Sequence, residues 1–393
     1  MQNILSSNNV IRILLFYSAL VPFFDTLNII SLYLFIPYVF LFCICRYKVY
    51  YNNRYIVILS CLVLFILFSC FTTNYIDYTI KELKALLGTL LLCYIVSSLS
   101  TNKSNIPFLY SLWIAYYIGM ILYIPQMDVF QNFDYSKDRL NDGQLNANTI
   151  AYHTFYLTFA IFILGEIRKK KALSLMFFAM VPLSFIVALI TGSRQVLLIQ
   201  IPLVALLTCI RYYHNFRHAK VYILGLFVAT AIALFAVEKG KDIFEHSVLA
   251  TRYEKKMEKD SRPKLLKDAM KVGCEHPILG VGPGNYVQFS YNKHFSHCTY
   301  TELFANCGIF AVFVYFYLLW TFLKKQILYY RKTKDKIFIA FFVFGIIYIF
   351  DNFFYVFYTM LWLFPFFFLV ASHSEYHYKE LKKLIDENSF TCY

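Results

Sequence analysis

The feature that most constrains this chain is a series of long apolar runs, separated only by short polar breaks. A helix that crosses a bilayer needs about 20 mostly apolar residues. Backbone inside lipid must satisfy its own hydrogen bonds, which favours helices. Charged residues make up only 15% of the 393 residues, whereas a soluble domain carries about 25%. The sequence therefore predicts an all-α integral membrane protein and excludes a disordered chain, a disulfide-stapled mini-protein or an ordinary soluble enzyme.

About twelve transmembrane helices are predicted, together with one long outer loop over residues 238–298 that contains short helices. They belong to one polytopic membrane domain over 1–372, which is followed by a short cytoplasmic tail over 373–393. The predicted spans are 9–24, 28–45, 55–72, 80–99, 107–125, 148–165, 172–190, 195–210, 220–237, 299–322, 336–351 and 353–372.

The distribution of Lys and Arg sets the predicted orientation. Most basic residues of the short loops lie on the side of the N-terminus, and few lie on the other side. Because Lys and Arg concentrate in cytoplasmic loops, both termini are expected in the cytoplasm. The same bias explains the net charge of +14 without any binding of nucleic acid.

Four polar residues map to the predicted outer side: Arg139, Arg194, Arg262 and His297. Each alone has a plainer explanation, such as a snorkelling or solvated arginine or a polar residue at the interface. Guanidinium groups bind phosphate oxygens bidentately, and a neutral imidazole accepts protons near pH 7. Together, these residues suit a lipid pyrophosphate donor and a sugar hydroxyl acceptor.

The long outer loop contains two local patterns. Residues 261–270 predict the start of a helix, with Ser261 as its cap, Pro263 in the first turn and an apolar stripe behind them. The Gly- and Pro-rich run 276–285 predicts a connector of turns. It is not a dinucleotide fingerprint, because no strand precedes it and no helix opens on it.

Other polar residues near the outer side are open to more than one interpretation. Glu302 lies about one turn deeper in the tenth span than His297 and could orient the imidazole. Asp351 and Asn352, at the outer end of the eleventh span, could contact sugar hydroxyls or form a plain turn. A disulfide between two loop cysteines, Cys274 and Cys298, is left open.

The order of these motifs resembles the O-antigen ligase/polymerase superfamily, which includes O-antigen and capsular repeat-unit polymerases. The resemblance extends over about 185–320 and is topological elsewhere. Two positions depart from the family pattern: Cys298 stands where Asn is usual, and Ala311 replaces the second glycine of a Gly-x-x-Gly that starts at Gly308. The segments that carry the resemblance are Thr191-Gly192-Ser193-Arg194, Ser261-Arg262-Pro263, HPILGVGPGNY from His276 and SHCTYTELFANCGI from Ser296.

The resemblance implies a multi-pass glycosyltransferase of the bacterial cytoplasmic (inner) membrane, with its active site facing outward. Its donor would be an oligosaccharide on undecaprenyl pyrophosphate and its acceptor another glycan. By motif, Arg194 and Arg262, with Arg139 as a weaker match, would hold the pyrophosphate, and His297 would activate the acceptor hydroxyl. Neither a metal nor another cofactor is expected. A flippase and a chain-length regulator are candidate partners.

The residues of the motifs resemble those of repeat-unit polymerases slightly more than those of a ligase that moves the finished glycan to lipid A core. A lipid-linked sugar transporter or flippase is the rival from another class, and a structural membrane subunit is a third interpretation. Transporters tend to show internal repeats and charges near the middle of the bilayer. The notable charges of this chain cluster at one face instead, which favours an enzyme.

Overall fold

The computed structural model describes residues 7–20, 30–47, 53–123, 147–191, 193–212, 262–290 and 293–390. Every regular element in these ranges is helical, which confirms the predicted fold class. In chain order the helices are α1 (Ser7–Leu20), α2 (Ile36–Tyr47), α3 (Arg54–Ser69), α4 (Ile76–Leu99), α5 (Ile106–Tyr123), α6 (Ala147–Arg168), α7 (Lys171–Thr191), α8 (Arg194–Arg211), α9 (Arg262–Glu275), α10 (Tyr286–Phe289), α11 (Thr299–Thr333), α12 (Ile337–Asp351) and α13 (Phe364–Phe390). A π-helical turn, Ser31–Phe35, precedes α2, and a 3₁₀ turn, Cys70–Thr72, follows α3.

The chain forms two compact units, and the first consists of residues 1–31 and 107–259. Within it α6 packs against α7 and α8, which also pack against each other. The membrane-length part of α6 is 89% buried, which makes it the central helix of this unit. Arg211 at the end of α8 donates to Glu166 of α6 at 2.6 Å and lies over the ring of Phe177 in α7. One guanidinium thus ties all three helices together.

The second unit consists of residues 32–106 and 260–393. Its longest helix, α11, packs against α3, α9, α12 and α13, while α4 packs against α2 and α13. Near the end of α11, Lys325 is paired with Glu375 of α13, and the rings of Tyr329 and Tyr378 stack at 4.0 Å. The α11 helix therefore forms the framework of this unit, with the candidate site at its N-terminal end.

Five helices in the described ranges are long and apolar enough to cross a membrane, and five shorter apolar helices accompany them. Large apolar side chains such as Phe71, Leu175 and Trp320 are exposed on them, as expected for surfaces that contact lipid. The predicted span 220–237 lies outside the described residues. The total of twelve spans therefore stays a prediction.

The predicted span 353–372 differs from the structure. Residues 352–363 form turns and irregular backbone, and α13 starts only at Phe364 and extends to Phe390, within the predicted tail. The cause is a non-local contact: the carbonyls of Asn352 and Tyr355 both accept from Thr299 N–H, at 2.8 and 3.1 Å. These bonds hold the segment in a largely buried loop, although most of its residues are apolar.

Candidate active site

His297 lies in the short segment 293–298 that leads into α11, and its backbone has a left-handed φ of 59°. Residues other than glycine rarely adopt this region, because Cβ then crowds the neighbouring backbone. The side chain is half-buried, and its ring lies 4.2 Å from that of Phe295, centroid to centroid. Such outliers often occur at functional sites, where surrounding contacts maintain them.

Contacts on both sides of His297 maintain this conformation. The buried carboxylate of Glu302 accepts from the backbone N–H of Ser296 at 2.6 Å. The Ser296 hydroxyl donates to the carbonyl of Cys298 at 3.0 Å and accepts from the Thr301 hydroxyl at 3.1 Å. The residue before His297 is thus fixed to the first turn of α11. Glu302 acts on the backbone of Ser296, which is a different contact from the expected one to the imidazole.

The first turn of α11 is itself anchored to the loop over 352–363. The hydroxyl of Thr299 donates to the carbonyl of Tyr355 at 2.8 Å and accepts from Phe357 N–H at 3.0 Å. The ring of Tyr355 lies edge-on to that of Phe295, 6.2 Å away. The break in the predicted twelfth span therefore packs against Phe295, whose ring lies next to that of His297.

A chain of polar contacts links Glu302 to α9. Asn306 donates to Glu302 at 3.4 Å and accepts from Tyr286 N–H at 2.8 Å. The Tyr286 hydroxyl donates to the carbonyl of Leu265 in α9 at 2.8 Å. Burial, with the nearby carboxylates of Glu302 and Asp268, raises the pKa of Tyr286, so its hydroxyl keeps the proton that it donates. The segment before His297 and the helix that begins at Arg262 are thus parts of one hydrogen-bonded body.

The connector 276–285 consists of turns, as predicted, and closes against a kink in α11. Gly308 has φ 79° and interrupts the helix, so Ile309 N–H donates to the carbonyl of Pro277 at 2.9 Å. The carbonyl of Ala305, which Ile309 would bond in a regular helix, accepts from Val281 N–H instead, at 2.9 Å. The backbone groups that the kink leaves without a helical partner are thus hydrogen-bonded to backbone groups of the connector.

Alanine at Gly308 is expected to destabilise the protein by about 2–4 kcal/mol. A Cβ at this position would lie 2.0 Å from the carbonyl oxygen of Ile278, and a positive φ would strain any L side chain. Thermal unfolding of the detergent-purified protein measures the loss. Gly345→Ala is the matched control, because its close neighbours are the side chains of Leu323 and Phe322, which can shift. An equal loss in both variants would contradict the proposed role of the kink.

Two residues near this network were not predicted from the sequence. Glu82 of α4 and Tyr358 of the 352–363 loop both interact electrostatically with Glu302. The Cβ of Glu82 also lies against Gly284 of the connector. Glu82 is an isolated carboxylate at the start of an apolar run, so only its position in the fold reveals it.

The structure describes two of the three predicted arginines, and it places them in different units. Arg194 is the first residue of α8 in the first unit, and Arg262 is the first residue of α9 in the second. Both helices begin close to where the sequence predicts. Arg139 lies outside the described residues. Of the three predicted site residues that the structure describes, Arg262 and His297 belong to the second unit, where the contacts through Tyr286 and Glu302 connect their segments.

Of the two interpretations of Asp351 and Asn352, their burial disfavours a contact with sugar hydroxyls. Both side chains are completely buried. The Asn352 side chain accepts from the Tyr315 hydroxyl at 2.7 Å and donates to the carbonyl of Tyr348 at 2.7 Å. Asn352 is therefore a packing residue of α11 and α12. The possible disulfide is not formed either, since Cys274 and Cys298 are both free thiols.

The segment 293–302 offers an imidazole at the end of a long apolar helix, with its backbone held by a buried carboxylate. An imidazole in such a place can accept a proton from a hydroxyl group. Within the part of the chain that the structure describes, no group of three His, Cys, Asp or Glu residues could hold a metal ion.

Comparison with known families adds independent information. A family model described as O-antigen ligase matches residues 179–316, a range that includes Arg194, Arg262 and His297. A comparison with curated proteins gives no match. The family match indicates a glycosyltransferase-like enzyme with O-antigen ligase-like or polymerase-like activity, and it implies lipid-linked glycan and acceptor substrates. The match supports a similarity to the O-antigen ligase/polymerase superfamily over residues 179–316, and the apolar helices indicate a membrane protein.

Proposed function

We propose that this protein is a repeat-unit polymerase of a surface polysaccharide such as O-antigen or capsule. It transfers glycan from undecaprenyl pyrophosphate to a sugar hydroxyl at the outer face of the bacterial cytoplasmic membrane, and both of its termini are cytoplasmic. The observation that supports this most is the placement of His297. Its left-handed backbone is held by buried contacts at the start of α11, and it lies inside the range matched by the family model.

In the proposed reaction, His297 accepts the proton of the acceptor hydroxyl, and the hydroxyl oxygen attacks the anomeric carbon of the donor sugar. The bond between that carbon and the pyrophosphate oxygen breaks, and the lipid pyrophosphate leaves with the electron pair. One displacement of this kind inverts the anomeric carbon. Arg194 and Arg262, with Arg139, stabilise the charge that develops on the leaving pyrophosphate. Guanidinium groups thus take the part that a metal ion plays in other transferases.

A ligase is the second candidate, because the matched family model is described as O-antigen ligase. A ligase would use the same base and the same arginines on the same donor. Its acceptor would be lipid A core or another final acceptor, where a polymerase uses a second lipid-linked repeat. The two functions therefore differ in the acceptor, and the products in the cell distinguish them.

Complementation of a null mutant of the host strain tests the proposal. Wild-type protein is expected to restore a ladder of surface glycan chains on a gel, while the null strain shows a single repeat. Arg194→Ala and Arg262→Ala are each expected to reduce the ladder to the single repeat at matched membrane levels, because each removes a charge-assisted contact to the pyrophosphate. Lys383→Ala is the control, since its side chain is exposed on α13 and its i,i+4 pair with Glu387 contributes little.

The pattern of products decides between the candidates. If the null strain lost all surface-attached glycan but retained long chains on the carrier lipid, the protein would be a ligase and not a polymerase. Unchanged glycan in the null strain would contradict both enzymes and favour the transporter or the structural subunit. Unchanged glycan in the arginine variants alone would contradict the assigned pyrophosphate contacts.

A further inference from the structure

The far end of α11 from His297 carries a groove that the proposed reaction does not use. It lies between α11 and α12 and has a volume of about 220 Å³. Phe338 and Gln326 form its buried floor, and the Gln326 amide is already hydrogen-bonded to the carbonyl of Phe322 and to Ser374. The wall is therefore effectively apolar. The lining residues are Gln326, Ile327, Tyr330, Arg331, Phe338, Ile339 and Phe342.

Two cations, Arg331 and Lys334, lie at or next to this groove. The segment 331–336 reads Arg-Lys-Thr-Lys-Asp-Lys. Arg331 lines the groove and is exposed, and the ammonium of Lys334 lies 5.8 Å from the centre of the Tyr330 ring, which also lines it. A cluster of this composition attracts anionic groups, most strongly where the surroundings exclude water.

Two carboxylates of the same unit, Asp335 and Glu375, are already engaged by other partners. Asp335 lies 2.9 Å from His377 Nε2 and accepts from Ile337 N–H at 3.0 Å. Burial opposes ionisation of Asp335, but the bonds from His377 and Ile337 outweigh it and lower its pKa. Glu375 is paired with Lys325. Among the described residues no ion pair involves Arg331, so its guanidinium is available to an external anion.

We propose that this groove binds an anionic phospholipid, with one acyl chain between α11 and α12 and the phosphate on Arg331 and Lys334. The apolar wall requires an alkyl chain, which excludes a free phosphate ion as the natural occupant. The charges of Arg331 and Lys334 favour a headgroup with a net negative charge over a zwitterionic one. The predicted topology places this segment on the cytoplasmic side, where anionic lipid meets Lys and Arg. The proposal does not depend on the polymerase activity.

Native mass spectrometry of the delipidated full-length protein tests the site, with dioleoyl phosphatidylglycerol and dioleoyl phosphatidylcholine as the probes. Wild-type protein is expected to bind the first phosphatidylglycerol about fivefold more tightly than phosphatidylcholine. Arg331→Ala is expected to remove that preference, because it deletes the phosphate contact. Lys383→Ala removes an equally exposed cation from α13 and is expected to keep the preference. Thermal unfolding of each variant verifies that it is folded.

Two further experiments test the acyl-chain groove and the headgroup contact separately. Ile339→Phe narrows the groove and is expected to weaken phosphatidylglycerol binding while Arg331 remains in place. Glycerophosphoglycerol, which has the headgroup without acyl chains, is expected not to compete. Equal binding of the two phospholipids by wild-type protein, an unchanged preference in Arg331→Ala, or full competition by the chain-free headgroup would each overturn the proposal.

Discussion

Replacing His297 by asparagine is expected to slow glycan transfer about 100-fold or more, which is the usual contribution of a positioned general base. Asparagine tolerates the left-handed region better than most residues, so the backbone at φ 59° is expected to persist. The variant therefore removes the proton acceptor and leaves the contacts of Ser296 with Glu302 intact. Initial rates of the purified protein on a lipid-linked oligosaccharide measure the effect, and thermal unfolding verifies the fold.

The matched control for His297 lies three residues earlier in the same segment. His294 is exposed, and its backbone N–H is bonded to the Ser290 hydroxyl, so His294→Ala removes an imidazole without disturbing that contact. It is expected to retain wild-type transfer. Transfer by His297→Asn at the wild-type rate, or an equal loss in His294→Ala, would show that His297 is not the base.

Much of the helical framework is predictable because its signals are local. The starts of α8 at Arg194 and α9 at Arg262 follow from a turn, a proline and the apolar residues behind them. The break over 352–363 could not be predicted in this way. Most of its residues are apolar, and the loop exists because the carbonyls of Asn352 and Tyr355 accept from Thr299, a residue of another helix.

The sequence could predict which residues surround His297, but it could not predict the hydrogen bonds between them. The spacing of His297 and Glu302 correctly places the carboxylate one turn into α11. It cannot reveal that the carboxylate bonds the backbone of Ser296, because that contact depends on the left-handed turn at His297. Gly308 is likewise visible as a motif residue, while its kink depends on the approach of Pro277 and Ile278 from the connector.

Glu302→Ala is expected to lower the rate of transfer at saturating substrate about tenfold to 100-fold. The substitution leaves the buried N–H of Ser296 without its acceptor, which costs about 1–3 kcal/mol. The segment can recover that energy only by moving, and His297 then leaves its position. Because Glu302 is buried behind the segment, its loss is expected to change kcat more than KM. Steady-state kinetics on the purified protein separate the two constants.

Glu302→Gln distinguishes a positioning role from a role of the negative charge. Its amide oxygen can still accept from Ser296 N–H, while the weaker contact from Asn306, at 3.4 Å, is lost. Transfer is therefore expected to recover to within about threefold of wild type. Glu375→Ala removes a carboxylate from α13 of the same unit, where it pairs with Lys325, and is expected to leave kcat unchanged. If Glu302→Gln were as slow as Glu302→Ala, the charge itself would be required, and the hydrogen bond to Ser296 would not explain how His297 is held.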